Sequence, residues 1–149
     1  MNAIRHQGSI LAALEVHFDG ALRRLEQLVH MEMAMSELDA AEILCRAKQV
    51  RAAGMLAGVA LERHLTRVLS LHVAASDLPK KPTLGPMTNV LWANGLCDAA
   101  TRTRLETYAV LRNHCAHAPG EDQSEPTVGE VRELIAGVRE ALQAIPPRA

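Results

Sequence analysis

Aromatic residues are nearly absent: Phe18, Trp92 and Tyr108 are the whole set, 2% of 149 residues. A core without them has to be built from Leu, Val, Ile, Ala and Met, which favours helices and argues against a β-sandwich. Lysine is scarce too, with only Lys48, Lys80 and Lys81 among 16 basic residues. The formal net charge of -1 argues against a basic carpet for nucleic acid, so contact with RNA or DNA has to come from a local site. Cys45, Cys97 and Cys115 are odd in number and lack CxxC spacing, which speaks against a disulfide scaffold or a zinc ribbon and for a reducing cytoplasm. Long apolar runs are missing as well. Arg5, His6, Glu15 and Asp19 interrupt the N-terminal segment, so neither a signal-peptide core nor a membrane span is expected.

What remains is helical periodicity. Ile10, Leu11, Leu14, Phe18, Leu22, Leu25 and Val29 recur at steps of three and four, the spacing of an amphipathic helix. Ser36 with Asp39 three residues on resembles a capping box and predicts the start of a second helix. The helical pattern then runs to about Ala75, too long without a bend, so a break is predicted near Ala47–Val50. Beyond it Ala53, Gly54, Ala57, Gly58 and Ala60 form a small-residue face that lets a neighbour approach closely. Leu61, Leu65, Val68 and His72 are expected to continue the buried stripe.

Three of the seven prolines fall at Pro79, Pro82 and Pro86, which predicts a polar loop over 77–86. A short helix over Met87–Trp92 should end at Asn94-Gly95, and Asp98 is placed to cap the next one. That helix carries Leu105, Tyr108, Leu111 and Cys115 on one stripe and should end near His117, before Ala118-Pro119-Gly120. An acidic loop, Glu121 to Glu125, leads to a last helix with Val128, Val131, Leu134, Ile135, Val138 and Leu142 on its apolar face. A short disordered tail is expected over 146–149. The chain therefore reads as all-α, a single-domain bundle of five to six helices over 1–149.

The segment Leu111 to Ala118, LRNHCAHA, gathers Arg112, Asn113, His114 and His117 in the last turns of one helix. Asn113 and His117, four residues apart, share a face, and His114 borders it. Arg112 lies well round the helix from His117. The carbonyl end of a helix stabilises an imidazolium, which suits His117 to proton transfer. An Arg that grips a phosphodiester and a His that moves a proton are what metal-free RNA cleavage requires, with the 2'-OH as nucleophile. The bare residues also fit an Arg and a His bound only to backbone carbonyls at a helix end. His114, Cys115 and His117 spread too widely round the helix to hold a metal, so no metal and no cofactor is expected.

Arg112, Asn113 and His117 together resemble the signature of the HEPN superfamily, helical-bundle proteins that include many metal-independent endoribonucleases of toxin and antiviral systems. The stretch Ala53 to Leu65, AGMLAGVALERHL, is similar to the helix preceding that motif in a bacterial branch, and Thr83 to Leu96 resembles its connecting segment. The resemblance implies an RNA-cleaving function with Arg112, His117 and Asn113 as catalytic residues. It further implies a homodimer with a composite site, and an antitoxin or phage-defence partner protein. His114 is read either as a candidate substrate contact or as an exposed surface histidine. Glu62 is a candidate too, either orienting the Arg112 guanidinium or exposed beside Arg63. Arg46, Lys48, Arg51, Arg63 and Arg67 are read along the second helix of the hairpin, where they either flank an RNA groove or form a solvated face. Relatives paired with a nucleotidyltransferase antitoxin often carry a tyrosine just beyond the histidine, where this chain has Ala118. The rival reading is a catalytically inert module of the same fold that binds RNA or nucleotide, or serves as a dimeric scaffold.

Overall fold

The computed structural model describes the backbone of residues 2–117 and 124–147, with the side chains of 2, 3, 5 and 6 left aside. Among these residues there are five α-helices and no strand: α1 (Asn2–Arg46), α2 (Val50–His72), α3 (Leu84–Ala93), α4 (Ala99–Ala116) and α5 (Val128–Ala144), with a single 3-10 turn at Ala75–Asp77. The protein is an all-α bundle. The chain divides into two compact units, Met1–Glu32 and Met33–Ala149. No helix among the described residues is long and apolar enough to cross a membrane.

The first unit is helix throughout its described backbone. Ile10, Leu11, Leu14, Phe18, Leu22, Leu25 and Val29, the stripe that predicts this helix, are all 46–69% exposed. The second helix expected at Ser36 does not start there. Ser36 sits in mid-helix, exposed, with α1 running through it. Met31 to Met35 contains no Gly or Pro to end the preceding helix, and without a break a serine has no orphan N–H to cap.

In the second unit Ala34, Leu38, Ala41 and Cys45 of α1 are buried. The predicted break is present at Ala47–Gln49, and its chemistry is unusual. Lys48 adopts φ 60, its N–H donates to Cys45 O at 3.1 Å and the Gln49 N–H donates to Leu44 O at 2.9 Å. These are the paired bonds of a Schellman stop, which normally places Gly at the left-handed position. A lysine there is strained. Lys48→Gly is therefore expected to stabilise the protein by about 1 kcal/mol, read as a higher midpoint in urea denaturation.

The core is aliphatic, as composition demands. Leu38, Leu61, Leu65, Leu69, Leu84, Met87, Leu91, Leu105, Leu134 and Leu142 are each fully enclosed. α2 packs on both α4 and α5, and α3 on α4. Three details depart from the sequence reading. α2 ends at His72 rather than near Ala75, and His72 is exposed. The buried histidine is His64, whose Nε2 lies 2.6 Å from Ile145 O. An i+4 step from Ala60 puts His64 on the core side, whereas His72 falls in the fraying last turn. α3 begins at Leu84, so Pro86 lies in its first turn, where a missing N–H costs nothing. Finally Pro147 is buried, so the tail predicted from 146 is packed at least that far. The acidic loop from Glu121 falls largely outside the described residues.

Capping follows local chemistry. Asp98 accepts from the Thr101 N–H at 2.7 Å, as predicted, and Gly95 at φ 65 follows Asn94 at the end of α3. At α5 Thr127 and Glu130 form a reciprocal capping box. Hydrogen bonds from the Thr101 hydroxyl and then its backbone N–H hold the Asp98 carboxyl below its ordinary 3.8. The Thr127 N–H, then its hydroxyl, holds Glu130 below 4.5. Folded values lowered in this way add stability that is complete above the ordinary carboxylate range and lost as pH falls through the folded values. Urea midpoints should thus drop below about pH 4.5, and Thr127→Ala should flatten part of that drop.

Candidate active site

The site begins with the small-residue face of α2. Ala53, Gly54, Ala57, Gly58 and Ala60 are all buried, and what approaches them is α4. A Cβ added at Gly54 would overlap Cys115 Sγ, and one at Gly58 would overlap Arg112 Cγ. Gly58 therefore forms a notch in which the Arg112 stem lies, one turn before Glu62. Glu62 Oε2 accepts from Arg112 Nη2 at 3.3 Å, with the two side chains 17% and 21% exposed. Of the two readings open for Glu62, the carboxylate within reach of Arg112 is the one the geometry has. Arg112 Nε is buried with no hydrogen-bond partner among the described residues, a donor for which they supply no acceptor.

His117 stands at the C-cap of α4, exposed and with extended backbone, φ -106 and ψ 145. The helix thus ends where the sequence predicts. The His117 N–H donates to Asn113 O at 3.0 Å, so these two residues are joined through the backbone, and both side chains face solvent. His114 is directed elsewhere. It lines a groove of about 500 Å³ between α4 and α5 with Tyr108, Leu111, Glu130 and Glu133. The structure thus brings Arg112 and Glu62 together on the α2 side and holds His114 on the α5 side, where it lies close enough to Glu130 to help lower that carboxyl.

Cys115 points into the α2 contact, and burial pushes its thiol pKa up. It is a packing residue rather than a thiolate nucleophile. Among the described residues no cluster of three or more His, Cys, Asp or Glu is arranged to hold a metal.

One residue was not singled out for the site by sequence. Arg51 Nε donates to Cys115 O at 3.2 Å, so the first turn of α2 satisfies a carbonyl at the end of α4, two residues before His117. Its Nη1 also lies 3.6 Å from Glu125. The 64-residue separation leaves no local signal that could have found this bond. Two others of the basic row are paired: Arg46 with Glu42 at 2.9 Å and Arg63 with Glu37. Arg46 belongs to the last turn of α1 and Lys48 to the connecting turn, so the row does not follow one helix.

Compared with known protein families, curated proteins and solved structures, the chain matches none.

Proposed function

We propose that this protein is a metal-independent endoribonuclease of HEPN type. Arg112 contacts the scissile phosphate. His117 takes the proton from the ribose 2'-OH as that oxygen attacks phosphorus, forming a cyclic phosphate as the P–O5' bond breaks. The leaving 5'-oxygen then needs a proton, and His117 of a second copy supplies it in a homodimeric composite site. Asn113 borders His117, and Glu62 orients the Arg112 guanidinium.

The observation that supports this reading best is how Arg112 is held. Its stem lies over Gly58 and its Nη2 on Glu62, while Nε has no acceptor among the described residues, and the following turn ends in exposed His117. A guanidinium pre-oriented by a carboxylate loses little freedom when it meets phosphate. A cytoplasmic setting and a toxin–antitoxin or phage-defence role, with a partner protein, belong to the same reading.

The same ion pair favours a second reading. A partly buried Arg–Glu pair can serve as packing between α2 and α4, and in that case the protein is an inert RNA-binding or scaffold module of the same fold. RNA cleavage in the presence of chelator, with the parent, Arg112→Ala and His117→Ala run side by side, separates the two. Activity lost in both variants supports the nuclease. Undiminished cleavage by both variants overturns the mechanism, and an inert parent that binds oligonucleotide establishes the module.

A further inference from the structure

The first unit exposes a long apolar face that the bundle's chemistry does not use. Written as heptads, α1 places Leu11, Phe18 and Leu25 at one seam position and Leu14, Ala21 and Leu28 at the other. All six are exposed: Leu11 61%, Leu14 58%, Phe18 69%, Leu25 56% and Leu28 63%, with Ala21 likewise open to solvent. Three consecutive heptads of this kind are the pattern of a coiled-coil seam. Polar Gln7 and Glu32 occupy the seam positions at its two ends, so the apolar run is bounded.

We infer that residues 11–28 of α1 pair with the same segment of a second copy in an antiparallel coiled coil. Antiparallel pairing sets one seam position against the other. Leu11 then meets Leu28 of the second copy, Leu14 meets Leu25, and Phe18 meets Ala21. The one large aromatic ring is matched twice with the one small residue of the seam, which fills space evenly. Parallel pairing stacks Phe18 on Phe18 and leaves Ala21 against Ala21, an overfilled layer followed by an empty one. Charge favours the same orientation. Glu15 and Asp19 lie in the first half of the segment and Arg23 and Arg24, with Glu26, in the second, so antiparallel copies lay a net acidic half along a net basic one, whereas parallel copies align halves of like net charge.

The area suffices. At roughly 60–120 Å² of apolar surface per large side chain, the five large seam residues and their flanking neighbours Ile10, Leu22 and Val29 bury on the order of 1,000 Å² in total, the lower range of specific interfaces. A membrane surface suits the segment less well, because its polar positions mix Glu15, Asp19 and Glu26 with Arg23 and Arg24 rather than presenting a basic face. The pairing does not rest on the nuclease reading.

Light scattering on the full chain during size exclusion, across a dilution series, tests it. The parent should have twice the monomer mass. Leu14→Glu with Leu25→Glu should weaken association and bring the mass toward the monomer at the dilute end of the series, since four carboxylates would meet in the seam. Val16→Glu, on a 74% exposed position away from the seam, should leave the mass unchanged. Because no seam side chain belongs to the buried core, the double variant should keep a cooperative urea transition. For orientation, Leu11→Cys mixed with Leu28→Cys should form a disulfide-linked heterodimer under mild oxidation, while Leu11→Cys alone should not link to itself above the parent's background. A monomeric parent, failure of Leu11→Cys and Leu28→Cys to link to each other, self-linking of Leu11→Cys, or a monomer that co-sediments with anionic phosphatidylserine vesicles would each overturn the inference.

Discussion

In the nuclease reading, His117→Ala should lower the rate of RNA cleavage by about 10²–10⁴-fold, the usual contribution of a positioned general acid or base, with almost no change in stability. The expectation of intact folding is specific. His117 is exposed, lies outside the last helical turn, and its structural bond is made by the backbone N–H to Asn113 O, which alanine keeps. Arg112→Ala is a less clean experiment. It removes the partner of a Glu62 carboxylate that is only 17% exposed, and leaving such a charge unpaired costs stability as well as substrate binding. Cleavage by the Arg112 variant must therefore be compared at temperatures where circular dichroism shows it folded. Single-turnover rates on a uridine-containing RNA and on the same sequence as DNA add a second check. The DNA should be untouched, because it lacks the attacking hydroxyl.

Gly58→Val should destabilise the protein by about 3 kcal/mol and lower Tm by roughly 10 °C, a large effect for one exchange in a helix. Backbone preference accounts for little of it, since a glycine in mid-helix is itself unfavourable relative to most residues. The cost is steric: even a single Cβ at this position overlaps Arg112 Cγ, with Arg112 Cβ and Cδ close behind. Either Arg112 leaves the notch and gives up Glu62, or α2 and α4 move apart over a core that has no spare space. Combining Gly58→Val with Arg112→Ala should recover a large part of the loss, and the coupling in that double-mutant cycle measures the notch directly. Additive losses would mean that the stem of Arg112 is not what fills the space beside Gly58. In the nuclease reading Gly58→Val also lowers cleavage, although residue 58 touches no substrate.

The elements legible in advance were those whose causes are local. The helix over residues 10–29 follows from apolar steps of three and four, the α3 stop from Asn94-Gly95, the α4 cap from Asp98, and the end of α4 from Ala118-Pro119-Gly120. Errors arose where a local signal lacked its context. Ser36 carries capping chemistry without a helix break in front of it. His72 continues the periodic stripe but falls in a last turn, while His64 finds its acceptor at Ile145, 81 residues away. Lys48 occupies a left-handed position for which nothing in its side chain argues.

At the candidate site the same division holds. The residue types in LRNHCAHA and the small-residue face of α2 could both be seen in the chain. That the one receives the other, with Gly58 under Arg112 and Gly54 under Cys115, could not.

Sequence by itself determined the helical class, most helix ends and the inventory of groups able to bind phosphate or carry a proton, because each depends on neighbours within a few residues. Tertiary structure alone decided that Arg112 meets Glu62, that Arg51 holds the end of α4, and that His114 faces Glu130 rather than Arg112. These depend on which helix faces pack, a matter of shape and volume between different helices, with the two arginine contacts joining residues 50 and 64 apart, and no short-range pattern encodes them.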